Sequence, residues 1–221
     1  MAHKVFEKIA YLYAEKRGLV IFACILLAVI IIAAIIIATY VCRVYHIRTY
    51  GIALRPSRDF AVHDIQYYLQ NDAEWSNDQI GNSNSRLGAE GCLIACISSA
   101  ITDMGIPVNP RQLNQKLTEA GGFQVASLIW YKINEACPEV DYRYTRAFSS
   151  ATMERDMKSG LLPIIRVKYR GSGIDHWLLI VGAKDGEFLV FDPLNSEKKP
   201  INLSVHGRVY TYRVLVPSGA R

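Results

Sequence analysis

An uncharged run from Leu19 to Val41, rich in Ile, Ala and Leu, sets the first constraint on what this chain can fold into. As a helix it would be apolar on every side and long enough to cross about 30 Å of hydrocarbon. A buried core helix is seldom apolar all round for such a length. A cleavable signal peptide has an apolar core of only about 7–15 residues, and no small-x-small cleavage pattern follows closely here. Tyr40-Val41-Cys42 is also a poor lipoprotein processing site. The run is therefore expected to be a single membrane-spanning helix. It divides the chain into a short tail (1–18), the span (19–41), a basic juxtamembrane linker with no clear period (42–59) and one domain (60–221).

Charge orients the span poorly. Lys4, Lys8, Lys16 and Arg17 precede it and Arg43, Arg48, Arg55 and Arg58 follow it, so the basic residues are tied. A short tail before a folded C-terminal domain favours a cytoplasmic tail and an extracytoplasmic domain. The net charge of +5 is modest and dispersed. Basic residues near the span suit anionic lipid head groups. No basic patch with base-stacking aromatics points to nucleic acid as a partner.

Within the domain, Gly91-Cys92 opens an apolar segment of helical period that closes at Gly105. Cys92 then lies in the first turn, where unpaired N–H groups and the helix dipole favour a thiolate, so an activated thiol is expected. Asn109-Pro110 caps a second helix reaching about Glu119. Val125–Ala136 and Ser150–Lys158 read as two more. Gly160–Tyr169, Asp175–Gly182, Glu187–Phe191 and Val209–Val216 read as strands, with Lys184-Asp185-Gly186 a hairpin turn. Helices first and a largely antiparallel sheet afterwards give an α+β domain.

A thiol nucleophile needs a base to take its proton, and the base needs a polar group to orient it. His176, at the mouth of one strand, and Asp192, at the end of the next, suit these roles. Antiparallel counting leaves them about three residues out of register, roughly 10 Å, so a bulge or bend must close the gap. An oxyanion donor is also required. Gln70 is the best amide candidate, with Gln79 second. Among the other histidines, His3, His46 and His63 precede the domain core and His206 falls in a polar loop. Cys92 and Cys96 share a helix face, but no zinc-type spacing accompanies them. Cys96 reads as a packing residue. Five cysteines in no paired spacing give no disulfide framework. No metal or other cofactor is expected.

Four blocks resemble a known family: Gln70-x-Asp72-x-x-Trp75; Leu87-Gly-x-x-Gly91-Cys92-Leu-Ile through Gly105-Ile; Asn109-Pro110-x-x-Leu113-Asn114 through Gly121-Gly122-Phe123; and Asp175-His176-Trp177 with Asp192-Pro193. In this order they resemble the papain-like cysteine peptidases of the double-glycine leader peptidase-like group, in particular stand-alone bacterial and phage members. Many members carry Gly-Pro after the cysteine, whereas this chain has Leu93-Ile94, a variant similar to phage and cell-wall-associated relatives. The resemblance implies a papain-like fold with Cys92 as nucleophile, His176 as general base, Asp192 as orienting residue and Gln70 as oxyanion donor. It implies a peptide or protein substrate. The same triad would serve an amidase or endopeptidase of cell-wall peptides, or an acyl transferase, and the fold alone would serve as a binding module of a membrane complex.

Overall fold

In the computed structural model, residues 2–219 are described, apart from the side chains at 2–4, 6, 8–10 and 12–15. The side chains of His3, Lys4 and Lys8 thus lie outside the described residues. A continuous helix, α1 (Ala2–Tyr50), contains the apolar run. Its stretch Lys16–Tyr50 is long and apolar enough to cross a membrane, and the most apolar part of it is unburied within the protein. The chain forms two compact units, one ending at Tyr45 and the other beginning at His46.

The segment expected to be a linker is ordered differently. Helix α1 runs on through Arg43–Tyr50 and ends at Gly51, whose φ of +66° forms the left-handed cap while its N–H bonds the Ile47 carbonyl at 3.0 Å. Ile47 and Leu54 are buried in the core of the second unit, and Ile52 and Phe60 bridge to Val209 and Ala183. Apolar residues at 47, 52, 54 and 60 cover the sheet, which a period-based reading does not detect in so short a stretch.

After this segment the second unit continues with α2 (Leu87–Glu90), α3 (Cys92–Asp103) and α4 (Pro110–Glu119). Asn109 caps α4 through a reciprocal box with Gln112, as its Asn-Pro start implies. The expected helix over Val125–Ala136 is not formed. Its place is taken by a small hairpin, β1 (Phe123–Gln124) and β2 (Ser127–Leu128), then a 3-10 turn and α5 (Ile133–Ala136). Val125 sits at the turn with φ 57°, a left-handed conformation that stops a helix there. Next come β3 (Val140–Tyr144), α6 (Ser150–Lys158), β4 (Pro163–Lys168), β5 (Asp175–Lys184), β6 (Glu187–Phe191), β7 (Ile201–Asn202) and β8 (Val209–Pro217).

These last strands form an antiparallel sheet in the order β3-β8-β4-β5-β6-β7. One apolar cluster joins α3, α4 and α5 to one sheet face through residues such as Ile97, Leu113, Leu179 and Val181. A second, with Phe148, Met153, Leu178 and Tyr212, fills the space between α6 and the other face. The helical first half and antiparallel second half match the α+β expectation.

Candidate active site

The Cys92 helix can begin where it does because residue 91 is glycine. A Cβ at Gly91 would lie 2.4 Å from the Leu87 carbonyl oxygen, so α2 could not turn into α3 with any larger residue. Cys92 is thereby the first residue of α3 and is 8% exposed at the wall of a cleft. Four residues on, Cys96 presents its thiol to the Trp177 carbonyl at 3.5 Å. The backbone N–H of Trp177 is in turn among the groups that favour a Cys92 thiolate. The peptide units of Trp177 therefore meet both cysteines, which docks β5, and the neighbouring His176, against the helix.

The gap between His176 and Asp192 is closed by a bulge. Lys184 pairs with Glu187 across the Asp185-Gly186 turn, where both φ values are positive, and pairing proceeds one-for-one to Gly182 with Leu189. Val181 is then skipped, and Ile180 faces Val190. Continuing this register sets Asp192 across from Leu178, two residues from His176 rather than three. An even offset keeps both side chains on one face, at the roughly 7–8 Å diagonal that a histidine spans. The result is a His176 Nε2 to Asp192 Oδ1 contact of 2.7 Å, buried on both sides. The chain also crosses closely here, since a Cβ on Gly182 would lie 2.9 Å from Val62 Cα.

Asp192 has further partners. Its Oδ1 accepts the Leu194 N–H at 2.9 Å, and its Oδ2 lies 3.3 Å from His206 Nε2, too misaligned for a good hydrogen bond. Burial by itself would raise this carboxyl, but the two imidazoles and the Leu194 N–H hold it well below the usual carboxylate range. His206, read from the sequence as part of a polar loop, is buried, and its Nδ1 accepts the Arg170 N–H at 3.3 Å. That bond fixes the proton of neutral His206 on Nε2, facing the carboxylate. Arg170 reaches it from a left-handed backbone, φ 46° and ψ 35°. Tyr169 stands edge-on to His176 with ring centroids 5.1 Å apart, and the two histidine rings stack at 5.8 Å. The weak signal for His206 in the sequence is Leu203, which anchors the turn before it.

Gln70 is buried on the wall of the same cleft. Its backbone N–H bonds the Pro193 carbonyl at 3.1 Å, tying it to the Asp192 segment, and the Trp75 indole braces its loop by donating to Leu69 O at 2.7 Å. Its side-chain nitrogen donates to the Gly88 and Ala89 carbonyls at 3.0 and 3.3 Å. Gln79 instead sits in a bridge with Arg86 and does not line the cleft.

The cleft holds about 640 Å³ and is walled by Cys92, His176, Gln70, Trp130 and Trp177 among others. Burial pushes the Cys92 thiol up to about 11, with Asp192 adding to the rise and backbone N–H groups of Trp177 and Leu93 opposing it. Burial thus works against the expected thiolate, and no hydrogen bond joins Cys92 to His176. Among the described residues no group of three or more His, Cys, Asp or Glu is set to hold a metal ion.

A protein-family model described as the Peptidase_C39 like family matches residues 62–213, which include every residue of this cleft. The chain belongs to that family. Among solved structures it is similar to a protein provisionally described as a C39-like peptidase from Bacillus anthracis, at 11% identity and a TM-score of 0.49. That alignment covers 72% of this chain and 98% of the other. No curated protein matches the chain. Membership of the Peptidase_C39 like family supports a peptidase of the cysteine type, acting on a peptide or protein.

Proposed function

We propose that the protein is a membrane-anchored cysteine peptidase that cleaves peptide bonds through Cys92, His176 and Asp192. The observation that carries this reading is the buried 2.7 Å contact of His176 Nε2 with Asp192, at a cleft where Cys92 opens a helix. A carboxylate on Nε2 keeps that nitrogen protonated and leaves Nδ1 as the base.

The thiol proton passes to Nδ1 as sulfur attacks the peptide carbonyl carbon. The resulting oxyanion is met by the Cys92 N–H, unpaired at the start of α3. Gln70 joins it by exchanging one of its two carbonyl bonds for the oxyanion. Collapse expels the amine, which takes the proton from His176, and leaves a thioester on Cys92. Water, deprotonated by His176, then releases the acid and regenerates the thiol. Asp192 stabilises the imidazolium at both steps.

The apolar run 19–41 anchors the domain in the bilayer, with the tail cytoplasmic and the catalytic unit outside. Protease protection of a C-terminal tag checks this topology. For the chemistry, Cys92→Ala should abolish peptide hydrolysis. His176→Ala should lower it by about 100- to 10,000-fold, and Asp192→Asn should leave measurable turnover. Near-normal hydrolysis by His176→Ala on a substrate that requires Cys92 would refute the assignment of the base.

A further inference from the structure

A second hollow adjoins the cleft and is built for negative charge. Cross-strand pairing sets Trp177, Arg166 and Thr211 in one row of the sheet, with Arg213 beside Tyr144 in the next. These residues line a space of about 170 Å³, with Arg48 at its exposed rim and no acidic residue in its wall. Trp130, Arg166 and Trp177 are shared with the cleft.

The arginines are held but not satisfied. The Arg213 guanidinium is clamped 4.3 Å from the Trp130 ring centroid and 4.4 Å from that of Tyr144. Its Nε is buried without a partner, as is that of Arg166. Among the described residues the Arg213 side chain makes one hydrogen bond, a long one of 3.5 Å to Thr211, and no ion pair. Arg166 meets Asp175 through Nη1 at 2.9 Å, and it lines both the hollow and the cleft. Burial works against the Arg213 charge. Stacked aromatic walls and fixed guanidinium forks suit a planar, bidentate anion.

We propose that this hollow is a carboxylate subsite, holding an Asp or Glu side chain or the free C-terminus of the peptide on the leaving-group side of the scissile bond. The proposal rests on the peptidase reading. The side is assigned from Arg166, Trp130 and Trp177, which wall the hollow and also the cleft that holds His176, the residue that hands its proton to the leaving amine.

The test uses the full chain in detergent micelles with a library of peptide pairs, Glu against Gln at each position and free acid against amide at the C-terminus. Binding is measured on the Cys92→Ala protein and hydrolysis on the wild type. One acidic position should bind about tenfold more tightly than its neutral partner, and the preference should shrink with salt. The acid-to-neutral ratio should fall to about one in Arg213→Gln and part-way in Arg48→Gln, which alters an exposed helix residue and leaves the core untouched. The Glu/Gln and acid/amide arms tell a side chain from a C-terminus. Hydrolysis of neutral peptides with no acidic preference in binding overturns the subsite alone, as does a preference that survives Arg213→Gln. Absence of binding, turnover and Cys92 alkylation together overturns the peptidase reading and the subsite with it.

Discussion

Helix position and burial pull the Cys92 thiol in opposite directions, and burial is the larger effect. The dipole of α3 could be read from Gly91-Cys92, but the closeness of Trp177, Asp192 and the cleft wall could not, since it depends on strands far along the chain. The rate of Cys92 alkylation by iodoacetamide should therefore rise with an inflection above the free-thiol value of about 8.5. A plateau reached below neutral pH would show a preformed thiolate–imidazolium pair instead. His206 stands one step further back, its Nε2 3.3 Å from Asp192 Oδ2, a place that suits a positioning residue. His206→Ala should lower kcat about tenfold with little change in KM. His206→Gln, which keeps an N–H near the Nε2 position, should restore part of it. Equal losses in both variants, matched by loss of thermal stability, would make the role merely structural. His176 and Asp192 were legible as types at suitable places. His206 was not, because its burial is imposed by Tyr169 and Arg170 from another loop.

The elements that carry the site were legible to different degrees, for physical reasons. The start of α4 announces itself through Asn109, Pro110 and Gln112, because a capping box is local chemistry. The Asp185-Gly186 turn does so as well, since both residues accept positive φ. Val125–Ala136 misleads: its apolar spacing resembles a helix, yet the residues pack against α3, α4 and the sheet as a hairpin and a single helical turn. Tertiary packing decides such a stretch. The α2–α3 junction yields a sharp prediction. Gly91→Ala forces a methyl group against the Leu87 carbonyl, so it should cost about 1–3 kcal/mol and slow Cys92 alkylation by displacing the thiol. Calorimetry and labelling of the same sample check both effects. An unchanged Tm would show that the junction opens freely.

Across the whole molecule, the boundary between the apolar run and the folded unit lies inside α1. Residues from His46 onward belong to the second unit, and Ile47 is 1% exposed within its core. A chain of residues 46–221 should therefore be soluble and fold. One starting at Gly51 should lose about 2–5 kcal/mol, the usual cost of removing a large aliphatic side chain from a core. Comparing their denaturant midpoints tests this, and equal midpoints would place Ile47 outside the cooperative unit. The apolar run was evident from hydropathy. The continuation of its helix into the domain was not, because Arg43–Tyr50 lacks an apolar stripe long enough to see.

The skipped residue in the β5–β6 hairpin gives the gene one codon of slack on one side only. Losing Val181 would iron the bulge flat and leave His176 and Asp192 two residues apart on the same face. Losing a residue from β6 instead would return them to an odd offset and point them to opposite faces. Length changes in this hairpin are therefore unequal in their consequences, while substitutions between His176 and Asp192 leave the count untouched. A family sharing this site can vary widely in the letters of the hairpin, but its ruler is marked on the Asp192 strand.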